Sequence, residues 1–244
     1  MKTIDDTGFD GIRILQDTDG FRYGIDAVLL ADFAKECCAG AESAAELGCG
    51  NGIVSLLLAA QSDERRVTGI EFQEEAVRLA EKSRGLNGMT DRVRFLYADV
   101  AALKETHPEL ASSASLVVTN PPYIARGSGI PGSRQQMQSA RQETTADLED
   151  FVQTAAWMLK AKGSFCMVHR PFRLVDIFYY CRKHQLEPKR IRFVHPRKGK
   201  PPNIVLIHCV LGGGRELKFD DPIYVYQEGG GYSHQILEIY GKTE

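Results

Sequence analysis

Four consecutive residues, Asn120-Pro121-Pro122-Tyr123, close the apolar run Ser115-Leu116-Val117-Val118-Thr119. An amine attached to an aromatic ring is a poor nucleophile, because its lone pair is delocalised into the ring. The Asn120 side-chain oxygen and the Pro121 carbonyl can each accept one of the amine hydrogens. Those two bonds favour a more pyramidal nitrogen and offset the positive charge that develops on it during attack. The prolines stiffen the loop, and Pro121 has no N–H to compete at that site. Tyr123 can stack on a planar substrate; stacking needs only the ring, so the hydroxyl has no assigned task at this stage. A Pro-Pro turn ending a strand would account for the prolines alone. The chemistry expected of Asn120, Pro121, Pro122 and Tyr123 is the positioning of an exocyclic amine, with no metal and no strong general base.

A second set of residues suits an adenosine-bearing ligand. Glu46-Leu47-Gly48-Cys49-Gly50-Asn51-Gly52 joins a short apolar run to an apolar helical segment. Gly48, Gly50 and Gly52 let the backbone turn sharply and approach a ligand closely. A dinucleotide fingerprint would need a glycine at position 53, which is Ile53. Glu71 ends the next run, where a carboxylate can accept hydrogen bonds from ribose hydroxyls, and Phe72 can flank an adenine. Asp99 ends the third, placed to accept from an adenine amine while Val100 packs on the ring. Any one of these acids alone would read as a helix cap; three successive strand ends with matching chemistry do not.

These groups need a scaffold that brings strand ends together. Apolar strands are expected near 43–47, 66–71, 93–97, 115–119, 164–169, 190–194 and 203–211, and helices near 51–61, 73–86, 147–160 and 171–184. The alternation predicts an α/β fold with a mostly parallel, seven-stranded sheet and helices on both faces. Pro201-Pro202 leaves room for a turn and not for a crossover helix, so the last strand is expected to run antiparallel. Ligands in such sheets bind at the carboxyl ends of the strands. Ahead of this core, residues 1–40 are expected to form a hairpin (Ile12 to Leu15, a turn at 17–20, then Phe21 to Tyr23) and a helix from about Asp26 to Cys38. Residues 41–244 form the main body of what is expected to be one structural domain.

Composition narrows the class further. At 43% hydrophobic and 25% charged residues the chain is an ordinary globular protein. Its apolar runs are too short for a membrane span, and the acidic start lacks a signal core, which points to the cytoplasm. The six cysteines form no C-x-x-C pair, so they read as reduced thiols and no metal site is expected. Charge is uneven. Residues 1–119 carry 12 Lys and Arg against 20 Asp and Glu, whereas 120–244 carry 18 against 12. Within 160–200 there are 12 basic residues against Asp176 and Glu187, which suggests a polyanionic partner such as nucleic acid.

With these motifs in hand, the glycine loop and the Asn120 tetrapeptide resemble those of class I methyltransferases acting on amino groups. More closely, the chain is similar from about Phe9 to Tyr240 to the bacterial tRNA(Val) adenine-N6 methyltransferase family. The likeness includes Gln16, Phe21 to Leu30, Ala140-Arg141-Gln142-Glu143, His169-Arg170-Pro171 and the stretch from Pro188 to Lys198. It departs at Gln142, where the family often has His. The resemblance implies a Rossmann-like fold, S-adenosylmethionine as cofactor, and tRNA as partner, methylated at the adenosine 3′ of the anticodon. It places Asp26 at the methionine end of the cofactor, where the alternative is an N-cap for the following helix. Glu46, Gly48, Gly50, Gly52, Glu71, Phe72, Asp99, Val100 and Asn120 complete the expected cofactor site. Arg190, Arg192, Arg197, Lys198 and Lys200 are expected to hold RNA, and residues 124–146 to form a lid or substrate loop. Protein glutamine N5-methylation, rRNA guanine-N2 methylation and DNA adenine-N6 methylation use related motifs and remain alternatives.

Overall fold

The computed structural model describes residues 2–9, 11–17, 23–123 and 146–242. The first pair of strands, β1 (Lys2–Asp6) and β2 (Arg13–Asp17), is antiparallel. The 12–15 segment expected in an N-terminal hairpin pairs with an upstream strand that the sequence did not signal. Tyr23 lies outside any strand, and the expected turn and return at 18–22 fall outside the described residues. β1 carries little sequence signal because none of its positions is fully buried and its sequence, KTIDD, is mostly polar. The hairpin is held to the body by β2: Leu15 N–H donates to Ser83 Oγ (2.9 Å), and Arg13 exchanges two backbone bonds with the Asn87 side chain.

The main sheet contains β3 (Ser43–Leu47), β4 (Arg66–Glu71), β5 (Val93–Tyr97), β6 (Ala114–Thr119), β7 (Leu159–His169), β8 (Leu186–His195), β9 (Ile204–Leu211) and β10 (Lys218–Phe219). Their order is β10-β8-β9-β7-β6-β3-β4-β5, and β11 (Ile223–Tyr224) also pairs with β8. β3 to β7 are mutually parallel, and β9 runs antiparallel to both β7 and β8. The seven long strands are those expected; β10 and β11, two residues each, extend the edge. β8 is longer than expected because the sheet accommodates Pro188 with a register shift between Pro188 and Arg190.

The helices are α1 (Ile25–Cys37), α2 (Ile53–Ala60), α3 (Glu74–Leu86), α4 (Leu103–Thr106), α5 (Leu148–Met158), α6 (Leu174–Lys183) and α7 (His234–Ile239). α1 and α2 pack with Leu116, Val118, Cys166 and Leu206 on one face of the sheet. α5 and α6 pack with Val117, Phe165, Met167 and Ile207 on the other. Alternation along β6 and β7 thus feeds two separate cores, the arrangement a strand buried on both faces requires. α5 begins at a capping box in which Asp147 accepts from Asp150 N–H and Asp150 accepts from Asp147 N–H. No helix among the described residues is long and apolar enough to cross a membrane.

Candidate functional site

β3 pairs with β4 on one side and β6 on the other, so the chain's progress across the sheet reverses between β3 and β6. A crevice at the carboxyl ends of the strands follows from that reversal. The glycine loop leaves β3 here. Gly48 and Cys49 N–H both donate to Ile70 O at the end of β4. Gly52 has φ +86°, and a Cβ on it would lie 2.6 Å from Phe95, so only glycine fits. Gly50, with φ +52°, has nothing within 4 Å of where a Cβ would be, leaving its backbone open to a ligand.

Glu71 braces the loop. Its Oε2 accepts from Gly50 N–H (2.9 Å) and its Oε1 from Gln73 N–H (2.9 Å). Burial raises its pKa, opposed by those backbone donors. Each oxygen keeps a second lone pair for a hydroxyl donor. Glu46 has a partner of its own inside the protein. It is 2% exposed, and its Oε2 accepts from both Ser55 N–H (2.8 Å) and Ser55 Oγ (2.5 Å) on α2. Burial pushes it up to about 8, despite the Ser55 bonds. Through Ser55 it fixes the end of β3 to the first turn of α2. Phe72 is half-buried and Val100 buried. Asp99 accepts from Ala101 N–H (3.0 Å), capping the short helical turn that follows.

Thr119 Oγ1 donates to Leu47 O (2.8 Å), tying the end of β6 to the end of β3. This sets the Asn120 tetrapeptide directly beside the glycine loop. Tyr123 Oη lies 2.5 Å from Asp26 Oδ2 and 2.8 Å from Asn120 Oδ1. A phenol has one hydrogen, so it cannot donate to both. The charged carboxylate at the shorter distance takes it. The Asn120 amide, whose oxygen and nitrogen exchange on a half-turn, then presents Nδ2–H to the phenol oxygen. With the amide so turned, its oxygen would face away from Tyr123 and could accept from an incoming amine. Burial and the neighbouring Asp26 both push the Tyr123 pKa upward, so the phenol stays a donor. Asp26 is not the N-cap of α1: that position is Gly24, with no side-chain cap bond.

Two residues to which the sequence alone assigns no role complete the site. Arg170 places its guanidinium 4.5 Å from the Tyr123 ring centroid and donates to Asn203 O. His169 meets the same ring edge-on at 5.1 Å. Its Nδ1 accepts from Arg170 N–H, and burial together with Arg173 lowers its pKa to about 4, so it stands neutral. A signal for them exists: His169 ends β7 and Arg170 follows it, where the strand-end rule applied to β3 through β6 would find them. A base that stacks on the face of Tyr123 held by Arg170 must displace that guanidinium. A cavity of about 530 Å³ near Trp157, Lys162 and His184 lies at the other end of the sheet, away from this chemistry.

The five basic residues expected to hold RNA divide in two. Arg190 and Arg192 share Glu36 and Asp220 and lie over Phe33. Their charge is matched inside the protein. Arg197, Lys198 and Lys200 are exposed on the turn between β8 and β9. Val194 pairs with Ile204, and Val205 with His169, so that turn stands on the same rim as Asn120 and Arg170.

An S-adenosylmethionine molecule fits this crevice: an open glycine backbone at Gly50, a carboxylate at Glu71, and a buried Asn51 amide nitrogen without a partner beside the loop. Residues 25–176 match the methyltransferase small domain family. A tRNA1(Val) (adenine(37)-N6)-methyltransferase of Porphyromonas gingivalis is 28% identical over 224 residues, 89% of this chain and 86% of that one. Its counterpart in Tolumonas auensis is 26% identical, over 82% and 80%. Among solved structures, a predicted O-methyltransferase, Atu636 of Agrobacterium tumefaciens, superposes with a TM-score of 0.69 at 22% identity, over 89% and 96%. A geranyl diphosphate C-methyltransferase of Streptomyces coelicolor, solved with S-adenosyl-L-homocysteine, gives 0.56 at 13% identity, over 75% and 77%. The chain belongs to the methyltransferase small domain family, and S-adenosylmethionine is its methyl donor.

Proposed function

We propose that the enzyme methylates the exocyclic N6 amine of an adenine in tRNA, the adenosine 3′ of the anticodon. The observation that carries this reading is the Asn120 carboxamide, set beside the glycine loop and 2.8 Å from a Tyr123 phenol whose hydrogen goes to Asp26, so that a half-turn of the amide offers its oxygen to the amine. The names of the curated relatives support the same acceptor. S-adenosylmethionine supplies an activated methyl group when bound. Gly48, Gly50 and Gly52 admit it along the backbone, Glu71 receives its ribose, and Phe72, Asp99 and Val100 surround its adenine. Asp26 lines the methionine end while holding the Tyr123 phenol.

The Asn120 oxygen and the Pro121 carbonyl accept the two amine hydrogens, and Tyr123 stacks on the base. Neutral His169 is a poor proton acceptor at physiological pH, so the proton released after transfer goes to water. An anticodon-loop base is easily unstacked, so presenting it costs little. Arg197, Lys198 and Lys200 bind phosphates from the same rim. Arg170 leaves Tyr123 as the base arrives.

The test offers tRNA, duplex DNA and a glutamine-containing peptide as acceptors for radiolabelled methyl. Label should enter tRNA and be recovered as N6-methyladenosine after nucleoside digestion. Preferential labelling of the peptide or the DNA would overturn the acceptor while leaving the methyltransferase assignment intact.

A further inference from the structure

Beyond β11 the chain folds into a tight hairpin whose arms meet at a bridge between Tyr226 and Tyr232. Gln227 N–H donates to Gly231 O (3.1 Å), and Ser233 N–H to Val225 O (2.9 Å). Gly230 (φ +94°) and Gly231 (φ +79°) supply the left-handed backbone that closes so short a turn. Residues directly opposite in an antiparallel pair present their side chains on one face. The two phenol rings accordingly stack, with centroids 5.6 Å apart and planes 13° apart. Tyr240, at the end of α7, continues the column: its ring lies 5.8 Å from Tyr232 at 15°, and Phe9 meets it at 5.0 Å. Tyr240 and Phe9 pack against the core, whereas Tyr232 is 39% and Tyr226 42% exposed. The inner rings pin the carboxyl-terminal segment to the body. The outer two gain little from burial and keep aromatic surface in water.

This column stands on the same edge of the sheet as the methyl-transfer site. β11 is parallel to β8, and both β8 and β7 are antiparallel to β9, so β11 ends on the edge where β6 releases Asn120. Val225 N–H donates to His195 O and Tyr226 N–H to Pro196 O, each at 2.9 Å. Those bonds fasten the hairpin to the turn that carries Arg197, Lys198 and Lys200. The Arg197 guanidinium lies over the Tyr226 ring at 6.0 Å, and Lys242 lies over Tyr240 at 5.8 Å. From 226 to 232 the hairpin itself carries only Glu228 as a charged residue. Between β6 and β11 the order of strands leaves four spacings, about 19 Å at roughly 4.8 Å each. A few unstacked nucleotides cover that span.

We propose that Tyr226 and Tyr232 are a second base-stacking platform, which takes an unpaired base of the RNA while Asn120 and Tyr123 hold the base that is methylated; this deepens the tRNA reading and rests on it. Arg170 over Tyr123 and Arg197 over Tyr226 repeat one arrangement, a planar cation on a tyrosine face where a nucleobase can take its place. The cations beside the rings favour a polyanion over a protein surface as the occupant. Stacking tolerates every base, so the platform adds affinity and sets how the loop lies across the rim without choosing its sequence. A duplex keeps its base faces stacked inside, so the platform favours single-stranded loops over helical stems.

Fluorescence anisotropy with the full chain compares an anticodon stem–loop RNA with an RNA duplex. Tyr226→Ala should weaken stem–loop binding at least about fivefold, the loss of one stacked base. It should leave duplex binding and the log–log salt slope unchanged, because no charge is removed. Tyr226→Phe keeps the ring and should stay within about twofold of wild type. In the wild-type protein, a stem–loop with 5-iodouridine in its loop should cross-link on irradiation to the peptide holding Tyr226 or Tyr232, read by mass spectrometry; that measurement needs no variant. Unchanged stem–loop affinity in Tyr226→Ala, or cross-links confined to other parts of the chain, would overturn the platform and leave the tRNA reading standing. A wild-type chain that binds no stem–loop would overturn both. A dimer seen by light scattering and lost in Tyr226→Ala, with RNA affinity unchanged, would assign the rings to a second copy of the chain instead.

Discussion

Glu46→Gln tests how the glycine loop is held. The wild-type carboxyl moves from an ordinary 4.5 to about 8 on burial under the loop. A folded pKa above the unfolded one means that the native state binds the extra proton between those values. Stability is then fully present below about pH 4.5 and falls as pH rises towards 8. One extra proton gives a slope of about −1.36 kcal/mol per pH unit, so roughly 2–3 kcal/mol should be lost between pH 5 and 7 through this group. That is a large share of a typical folding free energy of about 5–15 kcal/mol. Both Ser55 donors reach one Glu46 oxygen; glutamine keeps an oxygen that can accept both, and it cannot titrate. Urea unfolding at half-unit steps from pH 5 to 8 should show the wild-type slope steeper than the variant's by about 1 kcal/mol per pH unit. Because the Glu46 carboxyl is buried on Ser55, S-adenosylmethionine affinity by calorimetry should change less than about threefold, under about 1 kcal/mol. Parallel stability curves would mean that Glu46 is not protonated in the native state, and the account of the loop's support would be wrong.

Asn120→Ala should lower kcat by about two to three decades while cofactor affinity stays near wild type, the signature of an oriented transition-state partner; a matching fall in both would make Asn120 structural. Tyr123→Phe keeps the ring but removes the phenol from Asp26 and Asn120, so kcat should fall by roughly tenfold or more, as for loss of a charge-assisted bond of about 1.5–3 kcal/mol; wild-type turnover would show that stacking alone matters. Arg197→Ala with Lys198→Ala should reduce the log–log salt slope of tRNA binding by about 0.7–0.9 for each phosphate interaction removed, measured by filter binding or fluorescence anisotropy. Arg192→Ala should leave that slope unchanged and lower the melting temperature instead, because Glu36 and Asp220 lose a partner in a partly buried ion-pair group; a changed slope with unchanged stability would return Arg192 to the RNA surface.

The order of elements and the strand ends that carry chemistry were legible in the chain alone. Local rules govern them: apolar runs such as Ser115 to Thr119, glycines at 48, 50 and 52, and acids placed after strands need only near neighbours to be understood. From these followed the parallel sheet, the antiparallel β9, the glycine loop and the Asn120 tetrapeptide beside it. Partners distant in sequence were not legible. The Tyr123 hydroxyl acquires its role from Asp26, 97 residues away. Arg190 and Arg192 count as surface charge until Glu36, 154 and 156 residues away, and Asp220 are seen to neutralise them. Glu46 looks like its neighbours at strand ends, and only α2 folding back over β3 turns its carboxylate inward to Ser55. Periodicity reports which face of an element is apolar, whereas the partner of a polar or charged group is set by which elements the tertiary fold brings within hydrogen-bonding distance, and that distance carries no sequence signature.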